Sequence, residues 1–240
     1  MKTPTLLLAA GAVCTAALWN GTVHAAYSDP VPFNRPGYTS TQPWDISDSG
    51  TIVGGSDGEG FVFEGGVFSS LVHPDATNGT YISGITNDGT LVGSYWLSDG
   101  AGGGAFHGFI YGGGAFTPFD VPGSTGTSIR HVSSNGRYLS GTWSDESSSF
   151  GFAYDLQAAA LTTFGASDFS TIVQGVNSLG QVTGSFFRDD SNGGLVVGSF
   201  VFDLTTGTRT EYFQINGLQG PRFRDINDSG VITGFVGNQA

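Results

Sequence analysis

The chain repeats one short unit five times, and this repeat limits what it can fold into more than any other feature. Ile46-Ser47-Asp48-Ser49-Gly50 leads into Thr51-Ile52-Val53-Gly54, and Ile85-Thr86-Asn87-Asp88-Gly89 leads into Thr90-Leu91-Val92-Gly93. Val132-Ser133-Ser134-Asn135-Gly136 leads into Arg137-Tyr138-Leu139-Ser140-Gly141, one residue longer. Val176 to Gly180 leads into Gln181-Val182-Thr183-Gly184, and Ile226 to Gly230 into Val231-Ile232-Thr233-Gly234. Each time a polar run ending in Gly separates two apolar, β-branched segments. Asn, Asp and Ser bond their own backbone, and Gly accepts a positive φ without steric cost. Each unit therefore reads as strand, tight turn, strand.

The turn glycines Gly50, Gly89, Gly136, Gly180 and Gly230 are 39, 47, 44 and 50 residues apart by subtraction of their numbers. A period of roughly 40–50 residues with several strands per repeat is that of propeller blades. A second box supports this: Gly60-Phe61-Val62-Phe63, Gly108-Phe109-Ile110-Tyr111, Gly151-Phe152-Ala153-Tyr154 and Ser199-Phe200-Val201-Phe202 alternate with the period of a strand. A further turn and short strand follow, as in Ala115 to Phe119, giving four strands per unit. The expectation is an all-β propeller of five blades. The fifth hairpin has little chain after it, so the last blade is expected to be shared. The Pro-rich segment Tyr27 to Gln42 would supply its outer strand, because Pro32-Phe33-Asn34-Arg35-Pro36-Gly37 matches Pro118-Phe119-Asp120-Val121-Pro122-Gly123. Closure would remove exposed sheet edges.

Residues 1–25 read as a secretory signal peptide: Lys2, then the apolar run Leu6 to Leu18, then Val23-His24-Ala25 as a small-residue cleavage site. Residues 26–240 are then one domain. Cleavage removes Cys14, Met1 and Lys2, which leaves a chain without Cys, Met or Lys. That excludes thiol and disulfide chemistry, Schiff-base lysines and a Walker-type phosphate loop. Net charge is −12 for the full chain, so binding to nucleic acid or anionic lipid by counterion release is not expected.

The pattern Gly-Ile-Asn-x-x-Gly-x-Ile-x-Gly, followed by Gly-Phe-x-Tyr and a Pro-Gly turn, resembles the HAF-repeat family of bacterial extracellular proteins. Gly84 to Tyr95 with Gly108 to Tyr111, and Asp225 to Phe235, are the nearest copies. The resemblance implies a secreted, propeller-like protein and no particular activity.

If the first strand of each hairpin is innermost, equivalent residues ring a central tunnel. The residues just before the Ile/Val anchors are Asp45, Gly84, His131, Gly175 and Asp225; those before them are Trp44, Ser83, Arg130, Gln174 and Arg224. Asp45, Asp225 and His131 are the candidate catalytic groups, since paired carboxylates serve as general acid and base in glycoside cleavage. Trp44, Arg130, Gln174 and Arg224 are the candidate ligand-binding groups: guanidinium clamps an anion, and Trp stacks on a sugar ring. A plain structural role competes with this. Asp45 and Asp225 each precede a turn and can bond its amides, and Arg224 can pair with Asp225. The Asp-x-x-Asp-x-Gly runs at Asp45 to Gly50 and Asp225 to Gly230 space carboxylates as calcium loops do, but lack the distal Glu. No metal site or cofactor is expected, calcium being the one cation such loops would take. His73 and His107 read as rim or loop residues.

Two functions follow as expectations. One is a secreted, extracellular or periplasmic, monomeric binding module for a glycan or a surface protein. The other is a polysaccharide-active hydrolase or lyase with its site in the funnel.

Overall fold

The computed structural model describes residues 12–13, 32–165, 170–189 and 194–236. The expected signal segment lies outside them apart from Ala12 and Val13, as do its cleavage site and most of the loop from Asp189 to Gly194. Strand β1 is Ala12–Val13. The first sheet is β2 (Gln42–Ile46), β3 (Ile52–Ser56), β4 (Glu59–Glu64) and β5 (Val67–Leu71). The second is β6 (Thr80–Ile85), β7 (Leu91–Ser98), β8 (Gly104–Gly112) and β9 (Ala115–Phe119). The third is β10 (Gly126–Val132), β11 (Tyr138–Ser144), β12 (Ser149–Asp155) and β13 (Ala160–Phe164). The fourth is β14 (Ser170–Val176), β15 (Gln181–Asp189), β16 (Leu195–Asp203) and β17 (Thr208–Tyr212). A small hairpin, β18 (Gln214–Ile215) and β19 (Leu218–Gln219), precedes β20 (Arg222–Ile226) and β21 (Ile232–Phe235). The four-stranded sheets are antiparallel and sequential, while the fifth has the order β1-β21-β20. Among the described residues there is no helix, hence none long and apolar enough to cross a membrane.

The turns form as their residues dictate. Gly50, Gly89, Gly136, Gly180 and Gly230 all take the left-handed conformation, with φ from 73° to 86°. Each donates its N–H to the carbonyl three residues back, as Gly50 does to Ser47 at 2.9 Å and Gly136 to Ser133 at 2.8 Å.

The second glycine of the unit has a different reason. A Cβ on Gly54 or Gly93 would stand 2.0 Å from the backbone oxygen of Gln42 or Tyr81; on Gly141, Gly184 and Gly234 it would stand 2.2–2.3 Å from those of Ser128, Ile172 and Arg222. The inner strand leans on its neighbour here, and only a residue without a side chain admits it. The space a side chain would take on four of these glycines is covered by an aromatic ring. Phe61, Phe109, Phe152 and Phe200 pair with Gly54, Gly93, Gly141 and Gly184, and all four rings are fully buried.

Successive sheets stack by the same economy of side chains. Gly60, Gly108 and Gly151 lie against Ile82, Ile129 and Val173 of the next inner strand. The fourth copy has Ser199 in that place, and its hydroxyl bridges instead. It donates to the Pro221 carbonyl at 2.6 Å and accepts from Phe223 N–H at 3.0 Å. Outer-strand exits are pinned by threonines: His73 N–H donates to Thr80 Oγ1 and Val121 N–H to Thr127 Oγ1, both at 2.9 Å. The third residue of every turn joins a bonded row through all five units. Asn87 Nδ2 donates to Asp48 Oδ2 at 2.7 Å, Asn87 N–H to the Ser134 carbonyl at 2.9 Å. The Ser134 and Ser178 hydroxyls meet at 2.8 Å, and Ser178 N–H donates to Asp228 Oδ1 at 2.7 Å. Sheets placed in sequence, with their first strands gathered at one axis, make a propeller arrangement.

The segment before the first sheet differs from expectation. Residues 32–41 form no strand, and the place beside β21 is taken by β1. Pro32 and Pro36 have no N–H to give a ladder. The likeness to Pro118–Gly123 lies in packing instead. Phe33 stands 5.0 Å from Phe63 and 5.3 Å from Phe68, as Phe119 stands 5.1 Å from Tyr154 of the following sheet. Arg35 N–H donates to Thr41 Oγ1 at 2.9 Å, the same threonine pin.

Gly93→Ala should destabilise by about 2–3 kcal/mol, the cost of overpacking a close backbone contact. For a domain of this size that lowers the melting temperature by roughly 5–10 °C. The exposed Gly114→Ala is no control, because its φ is 83°; Gly112→Ala, which meets nothing closer than 3.6 Å, is the control and should shift it little.

Candidate functional site

Every inner strand carries a β-bulge, and in the same place. The ladder passes from Pro43 to Asp45 opposite consecutive residues Gly54 and Val53. The same skip falls between Ile82 and Gly84, Ile129 and His131, Val173 and Gly175, and Phe223 and Asp225. The skipped residues are Trp44, Ser83, Arg130, Gln174 and Arg224. A bulged residue leaves the ladder and its side chain is re-aimed. The second-strand glycine described above faces the carbonyl two residues before each bulge, so the bulge and the glycine are one device.

All five bulged residues line a single cavity of about 710 Å³ at the common axis. Trp44 is 43% exposed there. The cavity also takes in His131 and Asp225, together with Tyr81, Ser94, Phe106, Ser128 and Thr233. The structure thus brings Trp44, Arg130, Gln174 and Arg224 together. Tyr81 sits two residues before its bulge, and a period-2 reading of β6 would have found it. Phe106 comes from β8, and no local signal marks it.

The charged groups divide into two sets. Asp225 Oδ1 lies 3.5 Å from His131 Nε2, beyond a good hydrogen bond, and accepts from Ile226 N–H at 2.8 Å. Asp45 accepts from Ile46 N–H at 2.8 Å through one oxygen and from Ile85 N–H, in the next sheet, at 2.9 Å through the other. Both carboxylates therefore bond turn amides, and Asp45 serves as an inter-sheet tie. Burial holds the Asp45 carboxyl above the ordinary Asp value, against the pull of His131 and the two amides, with Asp225 adding to the rise. His131 Nδ1 is buried without a partner.

The second set is cationic. The Arg130 guanidinium is held below its ordinary pKa, first by the walls that strip water from it and then by the Arg224 charge. Neither arginine has an ion-pair partner among the described residues. The expected pairing of Arg224 with Asp225 does not form; Arg224 lies over the Phe235 ring at 5.3 Å. Outside the cavity, His73 is buried rather than on the rim and stacks on Tyr95 at 3.7 Å, while His107 Nδ1 meets Asp120 Oδ2 at 2.8 Å. Among the described residues no three His, Cys, Asp or Glu side chains gather as a metal site.

No protein-family model matches the chain, and no curated protein matches it. Among solved structures it is similar to a protein of Agrobacterium tumefaciens assigned as TolB, at 13% identity and a TM-score of 0.47, over 80% of this chain and 87% of that one. It is also similar to a chain of a mitotic checkpoint complex, at 11% identity and a TM-score of 0.31, over 92% of this chain and all of that one. Likenesses this distant carry no functional weight, and the fold stands on its own strand order.

The raised pKa of Asp45 fixes a sign. The folded chain binds this proton more tightly than the unfolded chain does, so the ionised carboxylate weakens the fold at neutral pH. That penalty fades as pH falls through the raised value toward about 3.9. Asp45→Asn should therefore compare more favourably with the native chain at pH 7 than at about pH 4, as read by melting temperatures at both. An equal difference at the two pH values would contradict the burial of this charge.

Proposed function

We propose that the chain is a secreted five-bladed β-propeller of the HAF-repeat kind that binds an extracellular ligand in its axial funnel. The observation that carries this is the convergence of five bulged side chains, one from each sheet, on one cavity. A fold has no need of five non-identical side chains re-aimed at one axis, whereas a ligand site does. Ring closure is supported by Trp44 of the first sheet and Arg224 of the fifth lining the same cavity, and by the reach of the Asp225 charge to the Asp45 carboxyl. Secretion is supported by the Lys2-to-Ala25 segment, and the resemblance to HAF repeats by the repeated units alone.

Binding is favoured over hydrolysis or lyase chemistry. A general acid or base needs an oxygen free to reach the substrate. Both oxygens of Asp45 are taken by amides, and one of those amides belongs to the neighbouring sheet. We accordingly assign Asp45 a structural role, with Asp225 and His131 as wall residues.

The test is thermal unfolding and calorimetry of residues 26–240 against a panel of neutral and acidic oligosaccharides and extracellular proteins. A ligand that binds only the folded state raises the melting temperature by mass action. Trp44→Ala and Gln174→Ala should abolish that rise, and the exposed Trp44→Ala should leave the unliganded melting temperature within about 2 °C, since exposed changes cost within roughly 0.5 kcal/mol. EDTA should change neither the rise nor the baseline. A funnel variant that binds its ligand as the native chain does would refute the site.

A further inference from the structure

We propose, building on the funnel reading above, that the ligand is an acidic oligosaccharide: a carboxylate of a uronic acid unit rests between Arg130 and Arg224, and further sugar units run outward along an aromatic track. Three observations meet here. The first is the pair of arginines. Two cations share one cavity with no carboxylate paired to either among the described residues, in a chain whose net charge is −12. Like charges held together repel unless an anion joins them, and guanidinium pairs grip planar carboxylates through parallel hydrogen bonds. Asp225, on the same wall, meets the Ile226 amide and His131 through its Oδ1, and neither arginine.

The second observation is a second cavity of about 320 Å³ between the second and third sheets. Phe106 and Ser128 line both cavities, so the two adjoin. Two adjoining cavities of this size offer room for more than one sugar unit.

The third is the lining of these cavities. Trp44 and Tyr81 have ring centres 5.8 Å apart, Tyr81 and Phe106 5.9 Å, and Phe106 and Trp96 5.0 Å. Trp143 stands on the far wall of the second cavity, its Nε1 buried and without a partner. Aromatic faces take the C–H faces of sugar rings, and wall hydroxyls such as Ser128 and Ser144 take their hydroxyls. A glycan is therefore the better fit than an acidic peptide.

The experiment is calorimetric titration of residues 26–240 with four probes: galacturonate hexamer, its full methyl ester, galacturonate monomer and hexaglutamate. The expected order is hexamer tightest, ester and monomer each at least about tenfold weaker, and no hexaglutamate binding, because a charged hydrogen bond contributes a tenfold factor or more. Arg130→Ala and Arg224→Ala should erase the preference of acid over ester. Trp96→Ala should weaken the hexamer and leave the monomer unchanged, which a loss of folding would not do. Equal affinity for acid and ester would overturn the anion clamp while leaving the funnel a binding site. Binding of hexaglutamate at hexamer strength would overturn the glycan assignment. If no probe binds, this inference fails, and the broader funnel reading fails only if its own panel is also flat.

Discussion

The contact between the second-strand glycine and the carbonyl of the inner strand is the constraint on which the rest depends. At 2.0–2.3 Å from a would-be Cβ, it occurs five times and tolerates no side chain. It lets the inner strand bulge toward the axis. It also leaves a flat surface on which the third strand lays its Phe ring, so one missing side chain sets both the core and the funnel. In the fifth sheet, where the two-residue β1 takes the third place, no described ring covers Gly234, and Phe235 is 40% exposed.

Sheet-to-sheet contact follows the same logic of removed side chains. A glycine at the head of each aromatic strand admits the next sheet's Ile or Val, and this close stacking leaves room for threonine hydroxyls to tie the loops. The exception explains itself chemically. Ser199 faces the start of the fifth sheet, where Pro221 offers a carbonyl and Phe223 an N–H, and one hydroxyl satisfies both. Most buried polar atoms of native folds meet partners in this way.

The two ends of the axis are chemically unlike. The turn end carries Asp48, Asn87, Ser134, Ser178 and Asp228, whose hydrogen bonds are spent on one another. The bulge end carries Trp44, Ser83, Arg130, Gln174 and Arg224. Ser83 donates to the Ile129 carbonyl at 2.7 Å, and Arg130 and Arg224 have no ion-pair partner among the described residues. Satisfied groups stiffen a structure, and unsatisfied ones are available to a ligand. This contrast, more than any single residue, separates the structural face from the binding face.

By itself the sequence determined the hairpins, the four-strand units and the set of equivalent inner-strand residues, because turn chemistry and period-2 alternation are local, the first repeated five times and the second four. It placed Trp44, Arg130, Gln174 and Arg224 at equivalent positions without showing why those positions faced inward. Only the tertiary structure decided that. A bulge is a mismatch between two strands, and neither strand alone records it. The same holds for Asp45: its second bond goes to Ile85, 40 residues away, so its role as a tie could not be told locally from an acid or a base. The Pro32-to-Gly37 segment shows the converse. Its likeness to Pro118 to Gly123 was real in packing and absent in pairing, since a phenylalanine finds its pocket through the shape of the neighbouring sheet whereas a ladder requires N–H groups that proline lacks.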